Sequence, residues 1–561
     1  FLYSIGYLAG WIVALFVVAE PMKRLGKYTF TDALDSKFNS KGIQLVAAIS
    51  TLVVSIFYLI PQMVGAGVLV QPLLGLSHAA GVVMVGVIVV IIVATAGMAS
   101  TTYVQFLKGA LLIVFSVVIT VAMCVRGLST TPDQGGQVPF HEPAVLQASM
   151  AGHSLALEDA SYTVSSYLPD QHVAKLSQGG VESWWGVSAT GAAGVQLTEA
   201  QWMYTQPDGT VMINGKPESK GNHLRQVGNL TKICGKTGEA AKTGALSPAG
   251  FLSAISDKDT IVRVSKKLKI KDGQTEVSVF TFIDTPGNKF MRPGMKFKVE
   301  GNWSDKLNFI SLMLALFCGT AALPHILIRY YTVPSPACAR KSTILAIAAI
   351  GFFYVLTLFL GLGATVNGVL NPLSSNMSAP LLARSFGTLL FAIVSAIAFA
   401  TVLGTVSGLI VASSGAVAHD LIDRFGGVKM TDERKVLTGK IAAVCVGIIA
   451  IFLGIKFKGQ NVSFLVGWAF SVAASANLPA IIMLLFWKKT TAKGIVASII
   501  VGMVSALGII LISPDMYKIY GMNPADSMIS LNQPGIVSIP LSFLTLVVVS
   551  LLTQKSLKKT V

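Results

Sequence analysis

Charge is scarce in this sequence. Asp, Glu, Lys and Arg make up only 12% of its 561 residues, against 53% hydrophobic ones. Soluble domains carry roughly 25% charged residues, so the composition argues against an ordinary soluble enzyme and points to a bilayer. Acids are scarcer still. Outside residues 128–306 there are nine, and none falls in the middle of an apolar run. A transporter driven by protons through a buried carboxylate would keep one there. Na+ is instead held well by hydroxyls and by carbonyls freed where a helix unwinds. The five cysteines show no paired spacing, and only Cys234 lies in the polar stretch, which argues against a disulfide framework. His153, His172 and His223 stand among scattered acids without metal-ligand spacing. The chain opens at Phe1, already inside an apolar segment; the expectation is a chain whose true N-terminus precedes it, with no signal peptide legible.

What is present is length of apolar run. A membrane span needs about 20 apolar residues, and eleven stretches qualify: 3–20, 44–70, 80–99, 108–126, 307–331, 343–366, 386–416, 440–456, 463–487, 493–512 and 535–553. The net charge of +17 resembles a nucleic-acid signal until it is divided by region. Residues 128–306 hold 18 Lys and Arg against 17 Asp and Glu; the remainder holds 25 against 9 and supplies the excess. With eleven spans in strict alternation, 20 basic residues fall on one side, among them Lys23, Arg24, Lys108, Arg329, Arg340 and Lys435. Only five (Arg126, Arg384, Lys456, Lys458 and Lys518) fall on the other. The positive-inside rule then makes the C-terminus cytoplasmic, in a multi-pass protein of the inner (plasma) membrane. The expected partners are the lipid bilayer and a small solute, with no nucleic acid.

Three parts follow: membrane helices at 1–127, an extracytoplasmic insert at 128–306, and membrane helices with a short cytoplasmic tail at 307–561. Within the insert, Thr210–Ile213 runs into the turn signal Asn214-Gly215, Glu276–Ile283 alternates as a strand does, and Lys296–Val299 reads as a further strand. Gly235–Gly244 reads as loop. The insert is therefore expected to be a small, mostly β domain.

Two spans carry interruptions. In the fifth, Gly319 and Pro324 stand five residues apart in mid-membrane, compatible with an unwound binding segment or with a kinked packing helix. The seventh contains Thr401, Gly404, Thr405, Ser407 and Gly408, a pattern that suits a close helix seam. Thr401 and Thr405 also share a face, where both hydroxyls can meet one cation. His325 and Arg329 share a face of the fifth span and read as a hydrogen-bonded His beside a snorkelling Arg. On the second span, Tyr58 and Gln62 face either a ligand or a neighbouring helix.

Several runs carry a resemblance. Tyr3–Trp11, Tyr58–Gly67 and Thr101-Thr102-Tyr103-Val104-Gln105 resemble the sodium:solute symporter family. Gly319–Arg329, with its Leu-Pro-His-Ile-Leu-Ile-Arg run, and Ala400 through Leu421 look like its cation/acetate symporter branch, which moves short monocarboxylates. The resemblance covers 1–127 and 307–553. It implies an all-α polytopic membrane protein of the LeuT-type inverted-repeat fold, here with the first two family helices missing. It further implies a symporter, not an enzyme, with Na+ as coupling ion, acetate or a related monocarboxylate as substrate and no other cofactor. By resemblance, the cation would be held at Thr401, Gly404 and Thr405, where Gly404 departs from the family's hydroxyl pattern. The substrate would lie near Tyr58, Gln62, Cys318, Gly319 and Thr320. Two other readings fit the composition: a sodium symporter for another small solute such as proline, and a membrane sensor whose insert binds a ligand.

Overall fold

The computed structural model describes residues 2–25, 30–95, 98–151, 154–189, 194–219, 221–294, 297–327, 330, 333–428 and 430–557. Arg329, His153, Lys27, Lys429, Lys558 and Lys559 lie outside them. Among the described residues, 11 helical spans are long and apolar enough to cross a membrane. We number them α1 Tyr3–Arg24, α2 Lys41–Gln71, α3 His78–Thr95, α4 Gln105–Arg126, α5 Trp303–Leu327, α6 Pro336–Val366, α7 Thr388–Phe425, α8 Asp432–Lys456, α9 Val462–Phe486, α10 Ala492–Leu511 and α11 Gly535–Gln554. Their order and number agree with the apolar runs of the sequence.

Local chemistry starts and stops these helices. Ser40 and Thr491 place hydroxyls on the backbone N–H groups of Ile43 and Gly494, and Asn461 caps Ser463 with its side-chain oxygen, satisfying donors that a first helical turn leaves open. The helix containing α2 ends at Gly75, whose left-handed φ of 67° lets its N–H return to the Gln71 carbonyl. The helix containing α4 begins at Met98, so Lys108 lies well inside it and not in a connecting loop. Removing it from the basic side leaves 19 residues against five, and the asymmetry persists.

The chain forms two compact units, one of Phe1–Phe115, Pro293–Leu358 and Ile393–Val561, the other of Ser116–Arg292 and Phe359–Ala392. In the first, α9 is central and packs on α2, α5, α10 and α11. Its sequence explains the position: Gly467, Ser471, Ala473, Ala474, Ser475 and Ala476 are small and buried, so neighbouring backbones approach closely on every side.

The second unit is organised by a sheet of 11 strands, all paired antiparallel. These are β1 Val145–Ala151, β2 Ser154–Leu157, β3 Thr163–Leu168, β4 Val173–Gln178, β5 Val181–Ala189, β6 Gly194–Thr205, β7 Val211–Ile213, β8 Lys216–Pro217, β9 Asn229–Lys232, β10 Ile261–Asp272 and β11 Thr275–Pro286. The main path runs β3-β4-β5-β6-β11-β10-β9, with β1 and β7 also paired to the long β6. Trp184 and Trp185, adjacent on β5, enter opposite faces as a period of two requires. One packs with Val173, Ile270 and Val279, the other with Leu176, Val195 and Leu197.

The Asn214-Gly215 signal is a hairpin turn with φ of 48° and 79°, and Glu276–Ile283 lies within β11. Lys296–Val299 is not a strand over its described residues. Phe297 and Val299 both return their N–H groups to the Gly294 carbonyl, and Lys298 takes a left-handed φ of 51°, which makes the segment a tight turn. With eleven strands the sheet is larger than the small domain expected. In the same unit Arg126 closes α4, donating to Asn367 Oδ1 at 2.9 Å and to the Ser385 carbonyl at 2.6 Å while lying 3.6 Å from the Phe386 ring centre.

Candidate functional site

The fifth span is broken. It runs as a regular helix to Gly319, tightens to a 3-10 turn at Thr320–Ala322, becomes extended at Leu323 (φ −80°, ψ 114°) and resumes at Pro324. Pro324 causes the break, because its ring pushes the preceding residue out of the helical region and it has no N–H to donate. A carbonyl freed inside a membrane needs a partner, since lipid offers none. The Ala322 carbonyl accepts from Asn477 Nδ2 of α9 at 3.0 Å, and Asn477 Oδ1 accepts from Ser50 Oγ of α2 at 2.5 Å. Ser50, Ala322 and Asn477 are all fully buried. A polar bridge thus links three helices at the break.

Gly319 has a different role from the one its type suggests. Its backbone is helical, and a Cβ there would stand 2.6 Å from the Phe470 carbonyl oxygen. It permits the close approach of α5 to α9 and is not itself unwound.

Beside the break lies a cavity of about 430 Å³. Trp11 and Tyr58 line it from α1 and α2, His325 from the resumed turn of α5, Ser342, Thr343 and Ala346 from α6, and Gly404 and Thr405 from α7. Gln105 and Tyr330 contribute further walls. The His325 ring stacks on Tyr58 with centroids 5.3 Å apart, and Tyr58 meets the edge of Phe470 at 5.7 Å. Tyr7 packs on Phe470 at 4.9 Å and shares a 3.0 Å hydrogen bond with Tyr3, whose hydroxyl reaches the Ser463 carbonyl. The lining offers indole, phenol, imidazole, amide and hydroxyl groups, and among the described residues it contains no Asp or Glu. Such a wall can solvate an anion; it has no carboxylate to hold an ammonium group.

Of the residues selected for substrate, Tyr58 lines this cavity. Gln62 lies one turn further along α2 and is not part of the lining. Cys318, Gly319 and Thr320 precede the break and are buried against neighbouring helices instead. The Thr320 hydroxyl returns to the Leu316 carbonyl at 2.9 Å, and its side chain fills the place that a Cβ on Gly10 would take. His325, read from sequence as a hydrogen-bonded His beside Arg329, is a cavity wall. Tyr330, Ser342, Thr343 and Ala346 carried no sequence signal, and Trp11 only its place at the end of the Tyr3–Trp11 run; each becomes a wall only through packing.

Of the residues selected for the cation, Gly404 and Thr405 line the cavity and Thr401 stands one turn before Thr405. The Thr405 hydroxyl donates to the Thr401 carbonyl at 3.1 Å, and the Thr401 hydroxyl to Ile397 at 2.8 Å. Two side chains of the helix containing α4 reach the same stretch: Gln105 Nε2 donates to the Gly404 carbonyl at 3.1 Å and Lys108 Nζ to the Ala400 carbonyl at 2.7 Å.

At the far end of α7 a second polar group gathers. Asp420, buried, accepts from Thr31 Oγ1 at 2.8 Å and lies 2.8 Å from His419 Nδ1, while Arg424 pairs with Asp32. These contacts tie the short helix Phe30–Leu34 to α7.

The sequence profile of the sodium:solute symporter family matches residues 1–134 and 265–502. The unmatched interval between them contains β1–β9. An uncharacterised symporter of Bacillus subtilis (strain 168) is 32% identical over 555 residues, covering 97% of this chain and 79% of its own length. A monocarboxylic acid transporter of Corynebacterium glutamicum is 33% identical over 560 residues, covering 97% of this chain and 77% of its own. Among solved structures, a Na+-coupled sialic acid symporter in a substrate-bound outward-open state aligns with a TM-score of 0.55 at 10% identity, over 99% of this chain and 83% of the other, which shows a shared fold. The broken α5, the eleven apolar spans and these matches agree: the chain belongs to the sodium:solute symporter family and is a membrane transporter, not an enzyme.

Proposed function

We propose that this protein couples a Na+ gradient to the uptake of a short-chain monocarboxylate such as acetate. The observation that carries the reading is the lining of the cavity at the α5 break, rich in hydrogen-bond donors and, among the described residues, free of carboxylates. A zwitterionic amino acid brings an ammonium group that this lining meets only with neutral hydroxyl and amide oxygens, so the lining favours a simple anion over proline. The Corynebacterium relative, named for monocarboxylic acids, supports the same substrate class. The family and the Na+-coupled fold relative support Na+ as the coupling ion.

In this reading Tyr58, His325 and Trp11 enclose the carboxylate, and Thr401, Gly404 and Thr405 of α7 mark the Na+ side of the site. Transport proceeds by alternating access, with the inverted repeats rocking around the broken helix. The basic loop ends and the C-terminus face the cytoplasm across the inner membrane, and the insert at 128–306 lies outside. Labelled acetate and labelled proline, each offered to proteoliposomes with and without an inward Na+ gradient, test the proposal. Acetate is expected to accumulate only with the gradient, and proline not at all. Accumulation of proline, or acetate uptake indifferent to Na+, contradicts it.

A further inference from the structure

A lysine inside a membrane helix calls for a reason, because its ammonium is costly to bury without a partner and marks function when it is kept. Lys108 stands ten residues past the start of its helix at Met98. Among the described residues no acid pairs with it; its Nζ lies 2.7 Å from the carbonyl oxygen of Ala400, itself well inside α7. One turn further along α7, Gln105 Nε2 takes the Gly404 carbonyl. A Cβ built on Gly404 would meet Lys108 Nζ and Gln105 Cγ at 3.4 Å, an ordinary contact distance, so both side chains lie directly against this turn. An ammonium therefore rests on the carbonyl surface of the same α7 turn that carries Thr401, Gly404 and Thr405. Charge-assisted contacts to a carbonyl are among the stronger hydrogen bonds, and a free cation has to displace this one or accept a second positive charge close by.

Resting on the Na+ reading above, we infer that Lys108 is a tethered cation that occupies the Ala400–Thr405 turn of α7 and competes with Na+ for it. The protein thereby carries its own counterweight to the coupling ion. The lysine lowers Na+ affinity and returns to the turn when Na+ leaves, so that the empty carrier keeps a cation on that turn. Gln105 is its neutral companion and holds the next carbonyl without charge.

Binding of radioactive Na+ to the purified full chain, read directly and beside uptake, tests this. Lys108→Met removes both charge and hydrogen bond; Lys108→Gln keeps a donor for Ala400 and removes the charge alone, which guards against a fold that fails without the contact. Both are expected to bind Na+ about tenfold more tightly than the wild type, while Lys108→Arg stays near it. Affinity that is unchanged or weaker in the neutral variants overturns the inference, even where wild-type uptake depends on Na+ and the functional reading stands. If wild-type uptake ignores Na+ and the neutral variants gain Na+ binding, the sodium coupling falls and the tethered cation stands. Absence of Na+ binding in every form overturns both.

Discussion

Replacing Asn477 by Leu is expected to abolish transport and to lower the thermal midpoint of the purified protein by several degrees. The side chain serves two buried partners at once, donating to Ala322 at the α5 break and accepting from Ser50 on α2. Leucine fits the volume and removes both contacts, leaving a carbonyl and a hydroxyl unpaired in a region without water. Each such group costs about 1–3 kcal/mol, and the two losses fall on one point of the fold. The carbonyl exists as an open acceptor only because Leu323 is extended ahead of Pro324, so the penalty acts on the broken conformation in particular. A regular helix through this point becomes the cheaper alternative, and the His325–Tyr58 wall is then misplaced. Size-exclusion thermal stability and acetate uptake check the result together. Normal transport by the Asn477→Leu protein would show that the bridge does not hold the break open.

The second large effect concerns the clamp at the other end of α7. Asp420→Ala removes the acceptor of Thr31, whose hydroxyl is completely buried. The expected loss is about 2 kcal/mol, the lower-middle range for one stranded buried donor together with its bond. Asp32 and Arg424 make the neighbouring link, but Arg424 is 41% exposed, so this pair alone contributes little. Both links anchor the same five-residue helix, Phe30–Leu34. Their effects are therefore expected to be non-additive, with a coupling of about 0.5–3 kcal/mol. A double-mutant cycle of Asp32→Ala and Asp420→Ala, followed by thermal midpoint, measures it. Strict additivity would mean that the two contacts act on α7 independently.

Much of the membrane architecture was legible because apolar length and loop charge are local properties of the chain. The eleven runs needed no tertiary information, and neither did Asn214-Gly215, which states its turn in two residues. The break at Gly319–Pro324 was visible as a composition, but the division of labour within it was not. Proline breaks the helix through its own ring, whereas Gly319 answers to Phe470 more than a hundred positions away. Asn477 was invisible for the same reason: in a run of Ala, Ser and Leu it reads as a tolerated polar residue, and only the fold brings Ala322 to it. Lys108 was misplaced because a basic residue beside an apolar run looks like a loop end; the helix begins ten residues earlier. Lys296–Val299 alternated like a strand, yet the glycine at 294 supplied a turn that captured the segment.

The claim on which the rest depends is that the cavity at the break receives the carboxylate. Ala346 contributes a small side chain to its wall from α6 and takes no part in the polar bridge. Tryptophan at that position would project into the 430 Å³ space, which none of the bridge residues Ser50, Ala322 and Asn477 lines. The measurement is the half-saturating concentration of acetate for uptake by Ala346→Trp, made on protein whose thermal midpoint stays near the wild-type value. If the cavity holds the substrate, that concentration rises by at least about tenfold or uptake disappears. Acetate uptake with wild-type half-saturation in the filled protein would place the substrate elsewhere.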